Sequence, residues 1–235
     1  MTYNYFLYKG IRFTFDLFSE ESIAYAENEF KVLDDDIYNV TFPKSVYAFI
    51  YKDLLLSSSL CTFKIIYTIR NPRDVIASSF HYSKILNICE AVEDFEKFIN
   101  DFLQGNVLFG SWFEHVKGWI KMKDDSRFFF VTYEELLQDL RGCVVRICKF
   151  LGQDLDDTQI DLVVEHSSFK AMKENVMSNW TQSELIDNSK GSFLRKGVAG
   201  DWKSLFTVAQ SEYFDKIYEE KMKDVNVKFF WEESS

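Results

Sequence analysis

KIIYTIRNPRDVIASSF, residues Lys64–Phe80, reads as a strand that turns directly into a helix. Ile65, Ile66, Tyr67 and Ile69 are β-branched or aromatic, the side chains that suit a buried strand. Asn71 stands where a helix N-cap belongs, Pro72 at the first helical position and Asp74 three residues after the cap. Cap, proline and first-turn acid together predict a helix start. Arg70 falls between strand and helix, a fixed positive charge beside the positive end of a helix dipole. That is a place to hold a phosphate. Ser78, about two turns on, shares the face of the cap. The same arginine could instead pair with Asp74 or another nearby acid, and the stretch alone leaves both readings open.

Working outward, Ile37–Phe42 alternates as a strand does and is followed by Pro43-Lys44-Ser45. A strand followed by Lys-Ser suggests a phosphate loop, but such a loop needs glycines so that its amides can close around the oxygens. There is no glycine between Gly10 and Gly105. A strand end with a solvated lysine stays equally open. Further strands are expected near Phe13, at Phe128–Val131 and at Val225–Trp231. Helices are expected over Ser19–Phe30, Ala91–Leu103, Leu108–Met122, Asp157–Glu165 and Thr207–Lys223, with a short one opened by Ser167-Ser168-Phe169. Thr132 and Glu135 form a capping-box pair for one helix over Glu134–Leu151, with Gly152 as its stop. Tyr133 therefore sits at a second strand-to-helix junction. The aromatics at helical spacing, Phe95, Phe98, Phe102, Trp112 and Trp119 among them, read as core.

The stretch Gly191–Lys203, GSFLRKGVAGDWK, holds three of the nine glycines. Arg195, Lys196 and the Gly197 amide form a cationic patch on a backbone free enough to fold over an anion. The alternative is a solvated basic loop. Phe193 and Trp202 offer faces on which a base could stack.

The chain has 235 residues and a net charge of −10, with 47% hydrophobic residues and 24 Phe. These numbers fit one globular α/β domain with a sizeable core and argue against a disordered chain. The acidic balance argues against nucleic acid or an anionic membrane surface as partner, so an anionic ligand needs a local basic site. No apolar run reaches membrane-span length, and Met1–Gly10 shows no secretory signal. Cys61, Cys89, Cys143 and Cys148 make no CxxC and read as reduced thiols in the cytoplasm. His81, His115 and His166 lack metal spacing, so no metal is expected.

Taken together, IRNPRDVIASSF, VTYEEL at Val131–Leu136 and FLRKGVAGDWK resemble the cytosolic sulfotransferases, over nearly the whole chain. YKGIRF and DDDIYNVTFPKS also fit. The wording of WFEHVKGW, GSFLRKG, FDKIYEEKM and KFFWEE looks most like the amine sulfotransferase branch. The resemblance implies a three-layer α/β sandwich with a central parallel sheet, related to the P-loop nucleotide kinases. It implies 3′-phosphoadenosine 5′-phosphosulfate as donor and an amine or hydroxyl of a small molecule as acceptor. Arg70 and Ser78 would hold the 3′-phosphate, and Arg195, Lys196 and Gly197 would close over it with Phe193 nearby. Tyr133, Ser167 and Phe169 would lie near adenine and ribose. Lys44 and Ser45 would begin the 5′-phosphosulfate loop, with Lys44 the catalytic residue that steadies the leaving oxygen. Lys203, Thr207, Val208 and Glu212 match the family's dimer motif, KxxxTVxxxE, which implies a homodimer. The same spacing also describes an ordinary helix start capped by a threonine.

The chain departs from the family after Ser45. There the family continues with glycine, small residues and tryptophan, then a helix, a loop and a strand carrying a catalytic histidine. Here Ser45 is followed at once by VYAFIYKDLL, and Phe49 falls about where the histidine belongs. None of the three histidines takes its place on motif grounds. The expectation is a single domain over 1–235, shortened between Ser45 and about Tyr51. Its function is then sulfuryl transfer, or, alternatively, that of a catalytically impaired nucleotide-binding or dimerising variant.

Overall fold

The computed structural model describes residues 5–45, 63–87 and 92–232. The chain opens with an antiparallel hairpin, β1 (Tyr5–Tyr8) and β2 (Ile11–Thr14). Lys9 and Gly10 between them both take positive φ, as a two-residue primed turn requires. Helix α1 (Glu20–Asn28) follows, capped by Ser19 through a box with Ser22.

Three parallel strands then build the sheet that positions the site. They are β3 (Ile37–Thr41), β4 (Lys64–Ile69) and β5 (Phe128–Thr132), in the order β3-β4-β5. Tyr67 of β4 stands opposite Val40 on one side and Phe130 on the other. Between β4 and β5 run α2 (Pro72–Ile85), α3 (Phe95–Gln104) and α4 (Trp112–Ile120). After β5 come α5 (Tyr133–Gln138), α6 (Leu140–Leu151), α7 (Asp157–Ser167), α8 (Phe169–Glu174), α9 (Val176–Asn179) and α10 (Val208–Met222).

Helices cover both faces of the sheet. On one face Tyr67 stacks on Trp119 of α4, with ring centroids 6.0 Å apart. On the other, Phe129 meets Phe150 of α6 at 5.4 Å. This is the expected three-layer α/β sandwich with a central parallel sheet. Covering both faces is what lets Ile65, Tyr67, Thr68 and Ile69 all be buried. No helix among the described residues is long and apolar enough to cross a membrane.

Four expectations need correction. The helix over Leu108–Met122 spans Trp112–Ile120, with Ser111 as its cap. The helix over Glu134–Leu151 is two helices, α5 and α6. Asp139 ends the first and caps the second, its carboxylate accepting from the Gly142 N–H at 2.8 Å. An aspartate that bonds its own local backbone competes with helix continuation. Val225–Trp231 is no strand. It ends in a 3₁₀ turn at Phe230–Glu232, and Phe229 packs on Phe130 and Trp231 through its ring. Helix α3 begins at Phe95 rather than Ala91, because Asp94 caps it by accepting from the Lys97 N–H. The residues read as following Ser45, Val46–Ser59 with Phe49, lie outside the described residues.

Candidate functional site

The carboxyl ends of β3, β4 and β5 share one edge of the sheet. Open parallel sheets bind ligands at such an edge. Each strand end delivers one residue singled out from the sequence: Lys44 after β3, Arg70 after β4 and Tyr133 after β5.

Arg70 is the centre. Its Nη1 donates to the Lys44 carbonyl at 3.1 Å and its Nη2 to the Val198 carbonyl at 3.0 Å. The guanidinium lies 4.3 Å from the Tyr133 ring centroid, and its Nε is buried without a hydrogen-bond partner. The alternative pairing of Arg70 with Asp74 does not occur. Asp74 instead accepts from the backbone N–H of Gly200 at 2.7 Å and of Trp202 at 3.0 Å. Neutral carbonyls meet Arg70, so its charge stays available to an anion.

Lys44 enters through a turn in which the Ser45 N–H donates to the Phe42 carbonyl at 3.0 Å. Pro43 and Lys44 are the central residues, and Lys44 has φ of 67°. That is the pattern of a type II turn, which favours glycine at the second central position. A lysine there costs roughly 1–2 kcal/mol. The turn carries the Lys44 ammonium to 4.2 Å from both the Tyr82 and the Phe193 ring centroids. Part of the residue still meets solvent, but its charged end is enclosed by protein. Burial first, then repulsion from Arg70 and Arg195, pulls its pKa down to about 7. Ser45 beside it is buried, and among the described residues its Oγ has no hydrogen-bond partner. Two orphaned polar atoms and a lysine pushed toward neutrality form a cluster suited to an anion.

The 191–203 loop forms the other wall. Phe193 lies 5.5 Å from Tyr82 and 5.3 Å from Trp180, centroid to centroid. Arg195 and Lys196 both pair with Asp201. Partial burial works to raise the Asp201 pKa, but the hydrogen bonds from Lys196 and Arg195 hold it at about 2. Gly197, at φ of 68°, presses on Phe169 at the start of α8. A Cβ there would lie 2.3 Å from the Phe169 ring, so only glycine fits.

Lys44, Arg70, Tyr133, Phe193 and Arg195 thus converge, and Gly197 joins Phe169 to them. Ser78 is half-buried on α2 and Ser167 is exposed at the end of α7. Among the described residues, no side-chain hydrogen bond ties either serine to the cluster. Lys203, Thr207, Val208 and Glu212 are all exposed, with Thr207 capping α10. Val208 is 76% exposed, so it faces outward rather than into the core.

Sequence reasoning missed Glu134 and the long-range role of Asp74. The Glu134 Oε1 accepts from the Asn71 N–H at 3.1 Å, tying the β5 junction to the β4 junction, while its Oε2 is buried without a partner. Burial pushes the Glu134 carboxyl up to about 7, against the pull of the Asn71 N–H and Arg70. The available signal was position: each acid stands in the first turn of a helix that follows a sheet strand. The half-buried His115 packs its ring against Phe42, Tyr67 and Trp119, and enclosure of the imidazole depresses its pKa to about 3, too low for a useful base near neutral pH. Among the described residues, no group of three or more His, Cys, Asp or Glu is arranged to hold a metal. Cys143 and Cys148 are free thiols.

The family model described as a sulfotransferase domain matches residues 27–226. This chain belongs to the sulfotransferase family. It is 43% identical to Sulfotransferase 2B1 of Homo sapiens, over 97% of the chain and 77% of the relative. It is 51% identical to 3-beta-hydroxysteroid sulfotransferase of Cavia porcellus, over 72% of the chain and 60% of the relative. Among solved structures, mouse sulfotransferase SULT7A1 complexed with PAP is 28% identical. It superposes with a TM-score of 0.83, covering 94% of this chain and 96% of that one. The alignment with the human relative runs over 282 residues, longer than this sulfotransferase's 235. The relative therefore carries several dozen residues with no counterpart here.

Proposed function

We propose that this chain transfers a sulfuryl group from 3′-phosphoadenosine 5′-phosphosulfate to a hydroxyl or amine of a small acceptor. The observation that carries this reading is the convergence of Arg70, Lys44 and Arg195 around buried polar atoms, where burial and the two arginines pull the Lys44 pKa down to about 7. Arg70 and Ser78 would hold the 3′-phosphate, and Arg195, Lys196 and Gly197 would close over it. Tyr133, Ser167, Phe169 and Phe193 would line the adenosine. Lys44 and Ser45 would meet the 5′ end. As the acceptor's lone pair forms its bond to sulfur, the bridging S–O bond breaks, its electrons pass to the phosphate oxygen, and the acceptor's proton leaves to water. Lys44 would donate to that oxygen, an interaction that strengthens as charge develops.

The relative named 3-beta-hydroxysteroid sulfotransferase supports a hydroxyl as acceptor, and the sulfotransferase relatives together favour an enzyme over an inactive nucleotide binder. The alignment length supports an internally shortened chain; a single domain over 1–235, with the shortening between Ser45 and about Tyr51, belongs to the same reading. A cytoplasmic setting agrees with the free thiols. Calorimetric titration with adenosine 3′,5′-bisphosphate tests the donor site. Saturable binding is expected, and no binding at millimolar ligand would sink the reading.

A further inference from the structure

We propose that Asp74 is a positioning residue for the donor phosphate, a latch that holds the 191–203 loop against the start of α2. The inference rests on the donor-site reading above. Asp74 is only 2% exposed. Both of its oxygens are committed, Oδ2 to the Gly200 N–H and Oδ1 to the Trp202 N–H. A first-turn acid that served only the helix dipole would face its own helix N–H groups or solvent. This one is spent on backbone more than a hundred residues away.

The two amides flank Asp201, and Asp201 in turn pairs with Arg195 and Lys196. The links therefore run from α2 through Asp74 to the Asp201 backbone, and from the Asp201 side chain to two cations of the anion site. Neighbouring contacts fix the same segment. Arg70 donates to the Val198 carbonyl, and the Arg73 guanidinium lies 4.8 Å from the Trp202 ring centroid while pairing with Asp215. Bonds from backbone N–H to a buried carboxylate are charge-assisted and directional. A loop held this way does not have to be ordered when ligand arrives, and that saving appears as affinity.

The test uses two ligands that differ at the 3′ position, adenosine 3′,5′-bisphosphate and adenosine 5′-monophosphate. Calorimetry compares the unmutated protein with Asp74→Asn and Asp74→Ala. The latch predicts that both variants lose about tenfold or more in affinity for the bisphosphate, and lose much less for the monophosphate. Equal losses for both ligands, or no loss, would overturn the latch while leaving the donor site standing. If the unmutated protein binds neither ligand, the donor-site reading fails and the latch's role with it. Amide exchange on the unmutated protein gives an independent arm should the variants fail to fold. The Gly200 and Trp202 amides should exchange more slowly than those of Val198 and Ala199 without ligand, and fast exchange at both would overturn the latch.

Discussion

The Nη2 of Arg70 lies 3.0 Å from the carbonyl oxygen of Val198. This bond ties the end of the central strand to a loop that the chain reaches only after nine more helices and strands among the described residues. It places Arg70 under the segment that carries Arg195, Lys196 and Gly197. The same arginine steadies the Lys44 turn through its other arm. Arg70→Ala should therefore weaken adenosine 3′,5′-bisphosphate binding by about 1.5–3 kcal/mol, the range for a hydrogen bond to a charged group. Titration calorimetry measures it, and unchanged affinity would remove Arg70 from the site.

Lys44 should take up a proton when the bisphosphate binds. In the free protein its pKa is about 7, so above that pH it is mostly neutral. A bound anion favours the charged form and raises the pKa. Binding near pH 8 should draw a proton from the buffer, whereas near pH 6 the lysine already carries it. Calorimetry in buffers of different ionisation enthalpy reads the uptake. Lys44→Met should lack it, and equal uptake in that variant would assign the proton elsewhere.

Glu134 should make stability fall as pH rises. Its folded pKa, about 7, lies above the ordinary glutamate value of 4.5. The folded state therefore holds the extra proton more tightly, and its contribution is full below about 4.5 and lost as pH climbs through 7. The difference is on the order of 3 kcal/mol. Glu134→Gln keeps an acceptor for the Asn71 N–H and removes the titration. Urea melts of the two proteins between pH 5 and pH 8 should diverge, and parallel curves would contradict the assignment.

A homodimer through Lys203, Thr207, Val208 and Glu212 is the expected assembly. The 76% exposure of Val208 at the start of α10 leaves an apolar side chain available to a second copy. Sedimentation should give a dimer for the unmutated chain and a monomer for Val208→Glu. Monomers in both would show that Thr207 is only a helix cap.

What the sequence revealed was local. Asn71, Pro72 and Asp74 announce α2, and the Thr132–Glu135 box announces α5, because caps act within three residues. The anion-site residues were legible because each sits at such a junction or in the glycine-rich loop. The break at Asp139 was hidden by a helical pattern that continues on both sides of it. At the chain's end, Phe229 packs its ring on Phe130 of β5 and on Trp231 without joining a ladder, and alternation alone cannot tell such packing from a strand. Asp74 bonding Gly200, and Glu134 bonding Asn71, span long stretches of chain. No short window contains such pairs.

Sulfuryl transfer itself is the central claim. The direct measurement is formation of adenosine 3′,5′-bisphosphate and sulfated product from saturating donor, with a hydroxysteroid, a phenol and a simple amine as acceptors. It compares the unmutated chain, Lys44→Met, and a chain carrying the relatives' extra segment after Ser45. Product above the uncatalysed rate is expected from the unmutated chain, with a loss of about a hundredfold in Lys44→Met. Faster turnover is expected when the segment is restored. No product with any acceptor from the unmutated chain, at donor concentrations that saturate binding, would contradict the claim.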